Sequence, residues 1–549
     1  MTASRLALLL GALVIPHGSS PLRAQQPAPV DAGRIARAVR ADVLWSSLRF
    51  LADDLLEGRA PGTRGGDIAA HYLAAQFQLM GLAPAGDSGT WFHHVPVVTL
   101  NPSPTLRVGE RELRFRDEFV AWSERAEEAV SASGELVFVG FGVDAPEWQW
   151  DDFKGQDLRG KILLMLVNDP GLRDPAIFRG RILTYYGRWT YKLEEAARRG
   201  AAGVLLLHND TMATYGWNTV RNSWTGDQVR LLQPATSLAF AGWITQGTAA
   251  ELLRGRGHDL ARLMDAASRR DFRPVATGLT VQAGVRSALR RTSTANVIGR
   301  LQGSDPRLAE EVVVIGAHYD HLGIGEAVSG DSIMNGAVDN GSGVATMLAI
   351  ADAFARTGGR PRRSLLFVGF AAEEKGLLGS QALASRPPVP LARMAAMLNL
   401  DGANLYGATR DIAALGLDQS SLGRLFEQAA RAEGLRVTTD STALVRGSFF
   451  RSDHFPLARA GVPALSWESG HDVVGRPTGW YEQMDEEYNR LRYHQPDDEI
   501  LPWYVPDGAL QQARVLVRVA VMAGNALEQP TWSASSEFRA AGEARVRGR

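Results

Sequence analysis

The chain has 549 residues, 45% hydrophobic and 22% charged, an ordinary globular balance with length for two or three domains. A formal net charge of -1, with no stripe of basic and aromatic residues, points away from a nucleic-acid partner. With no cysteine, the chain has no disulfide, no thiol nucleophile and no acylated cysteine, and its zinc ligands can only be His, Asp or Glu.

At the N-terminus, Arg5 precedes an apolar stretch over 6–15, followed by Pro16, Gly18 and Leu22-Arg23-Ala24. This is the pattern of a secretory signal cut after Ala24. The stretch is far shorter than the ~20 residues needed to span a bilayer, and no later segment is long enough. The expected protein is exported, periplasmic or secreted, with no membrane span.

Residues 25–104 read as the N-terminal part of the main domain, frayed over 25–40 and helical in pattern over 45–82. Gly58-Arg59-Ala60-Pro61-Gly62-Thr63 interrupts that pattern, and Gly81 stops an amphipathic helix over 69–80. Residues 105–285 read as a small inserted unit, with strands over 136–143, 161–167 and 203–207 and a charged helix over 191–199. Arg-rich 286–292 marks the return to the main domain, expected over 286–527. There, apolar runs at 312–315, 365–368, 394–400 and 462–465 suit strands buried on both faces of a parallel sheet. Helices over 344–356, 422–432 and 509–527 accompany them, and 528–549 reads as a loose polar tail. The fold class is α/β: a mixed, largely parallel central sheet with helices on both faces, plus the inserted unit.

Polar residues gather where these apolar runs stop, which is where open α/β sheets collect their chemistry. His318-Tyr319-Asp320 follows the run at 312–317; a His with a nearby Asp can give a metal ligand and the carboxylate that orients it. Asp339 sits in Gly336-Ala337-Val338-Asp339-Asn340-Gly341-Ser342-Gly343 before a helix, as a helix cap or as a carboxylate bridging two metal ions. Glu373-Glu374 closes the run at 367–372; one can bind metal while the other, left unligated, handles a proton. Asp401 follows Met397-Leu398-Asn399-Leu400, and Tyr493-His494 lies in a loop before the last helix. Singly each motif has an ordinary structural explanation; together they read as a two-zinc hydrolase site.

At these residues the chain resembles the co-catalytic di-zinc aminopeptidases, the family of bacterial leucyl aminopeptidases, aminopeptidase Y and the glutamate carboxypeptidase II group. The resemblance runs over about 296–527 on Gly316-Ala317-His318-Tyr319-Asp320, Asp339-Asn340-Gly341-Ser342-Gly343, Glu373-Glu374, Asn399-Leu400-Asp401, Ser452-Asp453-His454 and Tyr493-His494. Gly58-Arg59 and Gly81-Leu82 resemble the family's N-terminal portion. It implies a zinc-exopeptidase fold and two Zn2+ ions per chain. His318 and Asp401 would hold one ion, Glu374 and His494 the other, with Asp339 bridging. Glu373 would be general base, Asp320 the support of His318, and Tyr493 a polariser of the scissile carbonyl. No metal is assigned to Ser452-Asp453-His454. The inserted unit resembles a protease-associated domain on Asp157-Leu158-Arg159-Gly160-Lys161-Ile162 and the alanine-rich run at 196–207.

The expected activity is removal of N-terminal amino acids from peptides, with hydroxide made available by the zinc pair. A carboxypeptidase, dipeptidase or one-zinc glutaminyl cyclase on the same scaffold is the alternative, and a non-catalytic peptidase-like binding protein a further one. Gly86-Asp87-Ser88-Gly89 resembles a serine-protease nucleophile loop but has Thr90 where glycine is usual, so a loop reading is preferred. His208 ends the run at 203–207 and reads as structural. Side-chain preference and oligomeric state are not legible.

Overall fold

The computed structural model describes residues 30–232 and 238–547. The expected leader, residues 1–24, lies outside them. Thirteen strands carry the account: β1 (Phe92–Val108), β2 (Phe119–Trp122), β3 (Ala129–Phe138), β4 (Ile162–Leu166), β5 (Gly203–His208), β6 (Phe240–Thr245), β7 (Val275–Leu301), β8 (Val312–His318), β9 (Ser364–Phe370), β10 (Met394–Leu400), β11 (Asp411–Leu415), β12 (Arg436–Val437) and β13 (Ala464–Glu468). They belong to one sheet: twelve follow the order β12-β11-β13-β10-β8-β9-β7-β3-β4-β5-β6-β2, and β1 lies off this path, paired with β7.

At its heart β13, β10, β8 and β9 run parallel, flanked by antiparallel β11 on one side and β7 on the other. The fold is thus a mixed, largely parallel α/β sheet. Every residue of β8, β9 and β10 is buried, as their unbroken apolar runs require. One buried cluster joins α1 (Ala32–Arg37), α2 (Ala41–Leu51), α3 (Arg64–Leu79), α5 (Gly343–Thr357), α7 (Leu422–Ala432) and α10 (Asp507–Asn525) to one side of the sheet. A second cluster packs α6 (Leu378–Ser385) and α8 (His454–Arg459) against the other. A further core runs from Leu106 to Val285 and includes α4 (Trp189–Arg198).

Several local expectations change in three dimensions. Residues 286–292, expected to mark the return to the main domain, lie inside β7, which pairs antiparallel with β1 from Val281↔Val108 to Val297↔Phe92. Arg286, Arg290 and Arg291 all lie on this ribbon, with the consecutive Arg290 and Arg291 on opposite faces of it. The helical pattern over 45–82 is broken, because Asp54–Arg59 is a 3-10 segment with Glu57 and Arg59 at positive φ. The N-terminal stretch expected to be frayed contains α1, whose Ile35 and Ala36 are buried. The tail is packed rather than loose: Trp532 and Phe538 are buried in the cluster around Phe449, and the Trp532 indole donates to Gly461 O at 3.0 Å. Two aromatic anchors outweigh the polar composition around them. The helix α9 (Trp480–Leu491), not expected from sequence, exposes most of its length and leads into Tyr493.

Candidate metal centre

The parallel strands aim their carboxyl ends at one place. His318 is the last residue of β8, Glu373 and Glu374 follow β9 by a short turn, and Asp401 follows β10. Asp339 stands in an irregular turn before α5, entered through Gly336 at φ +57 and left through a cis peptide to Asn340. Asn340 fastens this turn to the Asp401 loop: its Oδ1 accepts from Gly343 N at 3.0 Å and Gly402 N at 2.8 Å, and its Nδ2 donates to Leu400 O at 3.0 Å.

The side chains meet closely. His318 Nε2 lies 3.1 Å from Asp401 Oδ1 and 3.3 Å from Asp339 Oδ1. The other Asp339 oxygen, Oδ2, lies 3.3 Å from His494 Nε2, which is 3.2 Å from Glu374 Oε2. One carboxylate therefore spans two groups, His318 with Asp401 and His494 with Glu374. Glu373 lies within ligand range of His318 and Glu374. His494 takes a left-handed backbone, φ 59, to turn its ring inward.

The two expected helpers lie beside the centre. The nearest partner of His318 Nδ1 is the main-chain carbonyl of Asp320 at 3.2 Å; the Asp320 carboxylate is 3.9 Å away and accepts instead from Glu373 N at 3.1 Å. A main-chain carbonyl can fix the imidazole tautomer as well as a carboxylate can. Tyr493 stacks on His494 with ring centroids 3.9 Å apart and is 45% exposed. Ser88 of the rival nucleophile loop sits on an exposed one-turn segment and bonds to no histidine ring among the described residues. His208 is buried, with Nε2 3.1 Å from Tyr215 O.

The field of the site is set by burial and by crowded acids. Burial pushes Glu373 well above the usual carboxylate range; His318 opposes this, while Asp401 and Glu374 add to it. Burial and Glu374 also push Asp339 up, but the His318 and His494 imidazoles beside it prevail and leave it below the ordinary range. Glu374, raised by burial, is brought well below its range by His494 and His321. His494 is lowered by burial yet raised overall to about 10, chiefly by Glu374. Among the described residues no lysine or arginine forms an ion pair with Asp339, Glu373, Glu374 or Asp401; their cationic partners are the histidines.

The donor set fits zinc. His318, Asp339 and Asp401 offer atoms within 4.8 Å of one another, as do His321, Asp339 and Glu374. The His494 Nε2 atom is buried and makes no hydrogen bond of proper geometry, although two carboxylates stand beside it. Buried imidazole and carboxylate atoms gathered around a common space are what a divalent cation needs.

Three more residues complete the constellation. His321 Nδ1 lies 2.7 Å from Glu374 Oε1. Asp498 accepts from Val338 N and Asp339 N. Buried Arg59 donates to the carbonyls of Leu51, Tyr319, Asn335 and Gly336, tying the His318 and Asp339 loops to the 3-10 segment. The spacing His318-x-x-His321 and the acid four residues after His494 were the signals that could have found the first two.

A largely parallel α/β sheet with histidines and carboxylates shared around a bridging acid at its carboxyl edge defines a protein with a candidate two-metal centre. Residues 296–519 match the model of peptidase family M28. It is 40% identical over 107 residues to a probable zinc metalloprotease of Pyrenophora teres, covering 19% of this chain and 22% of that one. It is 28% identical over 213 residues to aminopeptidase YwaD of Bacillus subtilis, covering 38% of this chain and 40% of that one. The chain thus spans less than half the length of these curated relatives. The aminopeptidase from Aneurinibacillus sp. strain AM-1 superposes with a TM-score of 0.47 and 21% identity, covering 90% of this chain and 96% of that one.

Proposed function

We propose that the protein is an exported zinc aminopeptidase that removes N-terminal amino acids from peptides. The observation that carries this reading is the Asp339 carboxylate, one oxygen toward His318 and the other toward His494. His318 and Asp401 would hold one zinc ion and His494 and Glu374 the other, with Asp339 shared. When bound, the pair supplies Lewis acidity and a nucleophilic water near neutral pH.

Glu373 is the general base. Its side chain has no protein hydrogen bond among the described residues, and its raised proton affinity suits a group that takes a proton and returns it to the leaving amine. Tyr493 stands beside His494, where its hydroxyl can reach a carbonyl oxygen of the substrate. Buried Arg59, tied to the loops of the site, has its donors committed to main-chain carbonyls and so is not offered to a substrate's free carboxylate, which supports an aminopeptidase over a carboxypeptidase.

The unit division 25–104, 105–285 and 286–527 goes with this reading, with the middle unit as a protease-associated insertion. It is supported by the separate buried core from Leu106 to Val285. Export is supported by the apolar stretch over 6–15 and the small residues up to Ala24. The test is a peptide digest read by mass spectrometry, with free and N-acetylated substrates and with and without chelator. Stepwise loss of N-terminal residues, blocked by acetylation and by chelator, is expected. Trimming from the carboxyl end, or activity indifferent to chelator, would overturn it.

A further inference from the structure

His321 ends no strand and was given no role by the motifs, yet it is the most enclosed histidine near the centre, its side chain 0% exposed. Its place is set by the main chain. Tyr319 O is held by Arg59 Nε at 2.8 Å, and His321 N donates to Arg59 O at 3.3 Å. The ring then lies in a slot that only glycine at 336 leaves open: a Cβ there would come within 2.6 Å of the His321 ring.

From that slot Nδ1 reaches Glu374 Oε1 at 2.7 Å. A carboxylate only accepts, so Nδ1 is the donor. The bond engages one oxygen of Glu374 and leaves Oε2 beside His494 Nε2 at 3.2 Å. The His321 ring also meets the His494 ring edge to face, with centroids 5.7 Å apart.

We propose that His321 is a positioning residue that holds Glu374 by Oε1 so that Oε2 is presented to the metal at the His494 position. This deepens the two-metal reading and rests on it. Partners that orient a ligating carboxylate typically change metal affinity ten- to hundredfold when removed, at ~10–100-fold.

The experiment titrates zinc into chelator-stripped protein by calorimetry, for the parent, His321→Leu and His321→Asn, with thermal melts of the stripped proteins as a folding control. The parent should take two ions. His321→Leu, which has no donor, should weaken one of the two by about 10–100-fold. His321→Asn, whose amide can replace Nδ1–H, should recover most of that loss. Tight uptake of both ions by His321→Leu overturns the inference. So does a His321→Asn variant that melts like the parent but binds no better than His321→Leu. A parent that takes up no zinc overturns the two-metal reading itself, and the inference with it.

Discussion

Asp498 grips the main chain of Asp339: its Oδ2 accepts from Asp339 N at 3.0 Å and its Oδ1 from Val338 N at 3.1 Å, while Tyr488 donates to Oδ2 at 3.2 Å. The loop that delivers His494 therefore also sets the backbone of Asp339. Asp498→Asn would turn an amide donor toward one of these N–H groups. Metal affinity should fall by about tenfold or more, with secondary structure unchanged. Zinc titration of the stripped variant, beside its circular dichroism, checks this.

Glu373 and Asp339 should fail differently. Glu373→Ala should keep two zinc ions and lose ~10²–10⁴-fold in kcat, the usual contribution of a positioned proton-transfer group. Asp339→Ala should lose metal together with activity. Metal content by atomic emission, measured on the same preparations as kcat, separates the two outcomes; full activity in Glu373→Ala would remove it as general base.

Arg59 supports the site from behind. Burial lowers its guanidinium to about 10, still charged at neutral pH, and four carbonyls surround it. Arg59→Met would leave those carbonyls without a donor. A loss on the order of 3–5 kcal/mol follows, as for a broken buried charge network. Chemical denaturation of the stripped protein tests it, and a loss within 1 kcal/mol would contradict the role.

A pH effect on stability should come from His471, away from the centre. Its Nε2 is 3.5 Å from Asp440 Oδ2 and its Nδ1 3.1 Å from Glu482 Oε1, joining the cap of helix Ser441–Arg446 to α9. The Asp440 bond is the main cause that raises the imidazole to about 9 from 6.5. A raised histidine stabilises the fold fully below its unfolded value and loses that contribution as pH rises through the folded one. The protein should thus lose on the order of 1 kcal/mol between about pH 6.5 and 9, and His471→Gln should flatten that slope. Melting temperatures of both proteins across this window are the measurement.

The sequence by itself determined the parallel strands and the identity of the strand-end acids and histidines. The reason is local: fully buried strands need unbroken apolar runs, and a polar residue that ends such a run stands at the sheet edge. β10 was legible to the residue, from Met394 to Leu400, and Asp401 with it. The tertiary structure alone decided what depends on partners distant in the chain. His321 meets Glu374 across 53 positions, Asp498 meets Asp339 across 159, and Arg59 meets Tyr319 across 260. Such contacts leave no period in the sequence. The same holds for β7, whose pairing with β1 joins residues far apart in the chain, and for Trp532 and Phe538, whose burial depends on a surface built elsewhere in the chain.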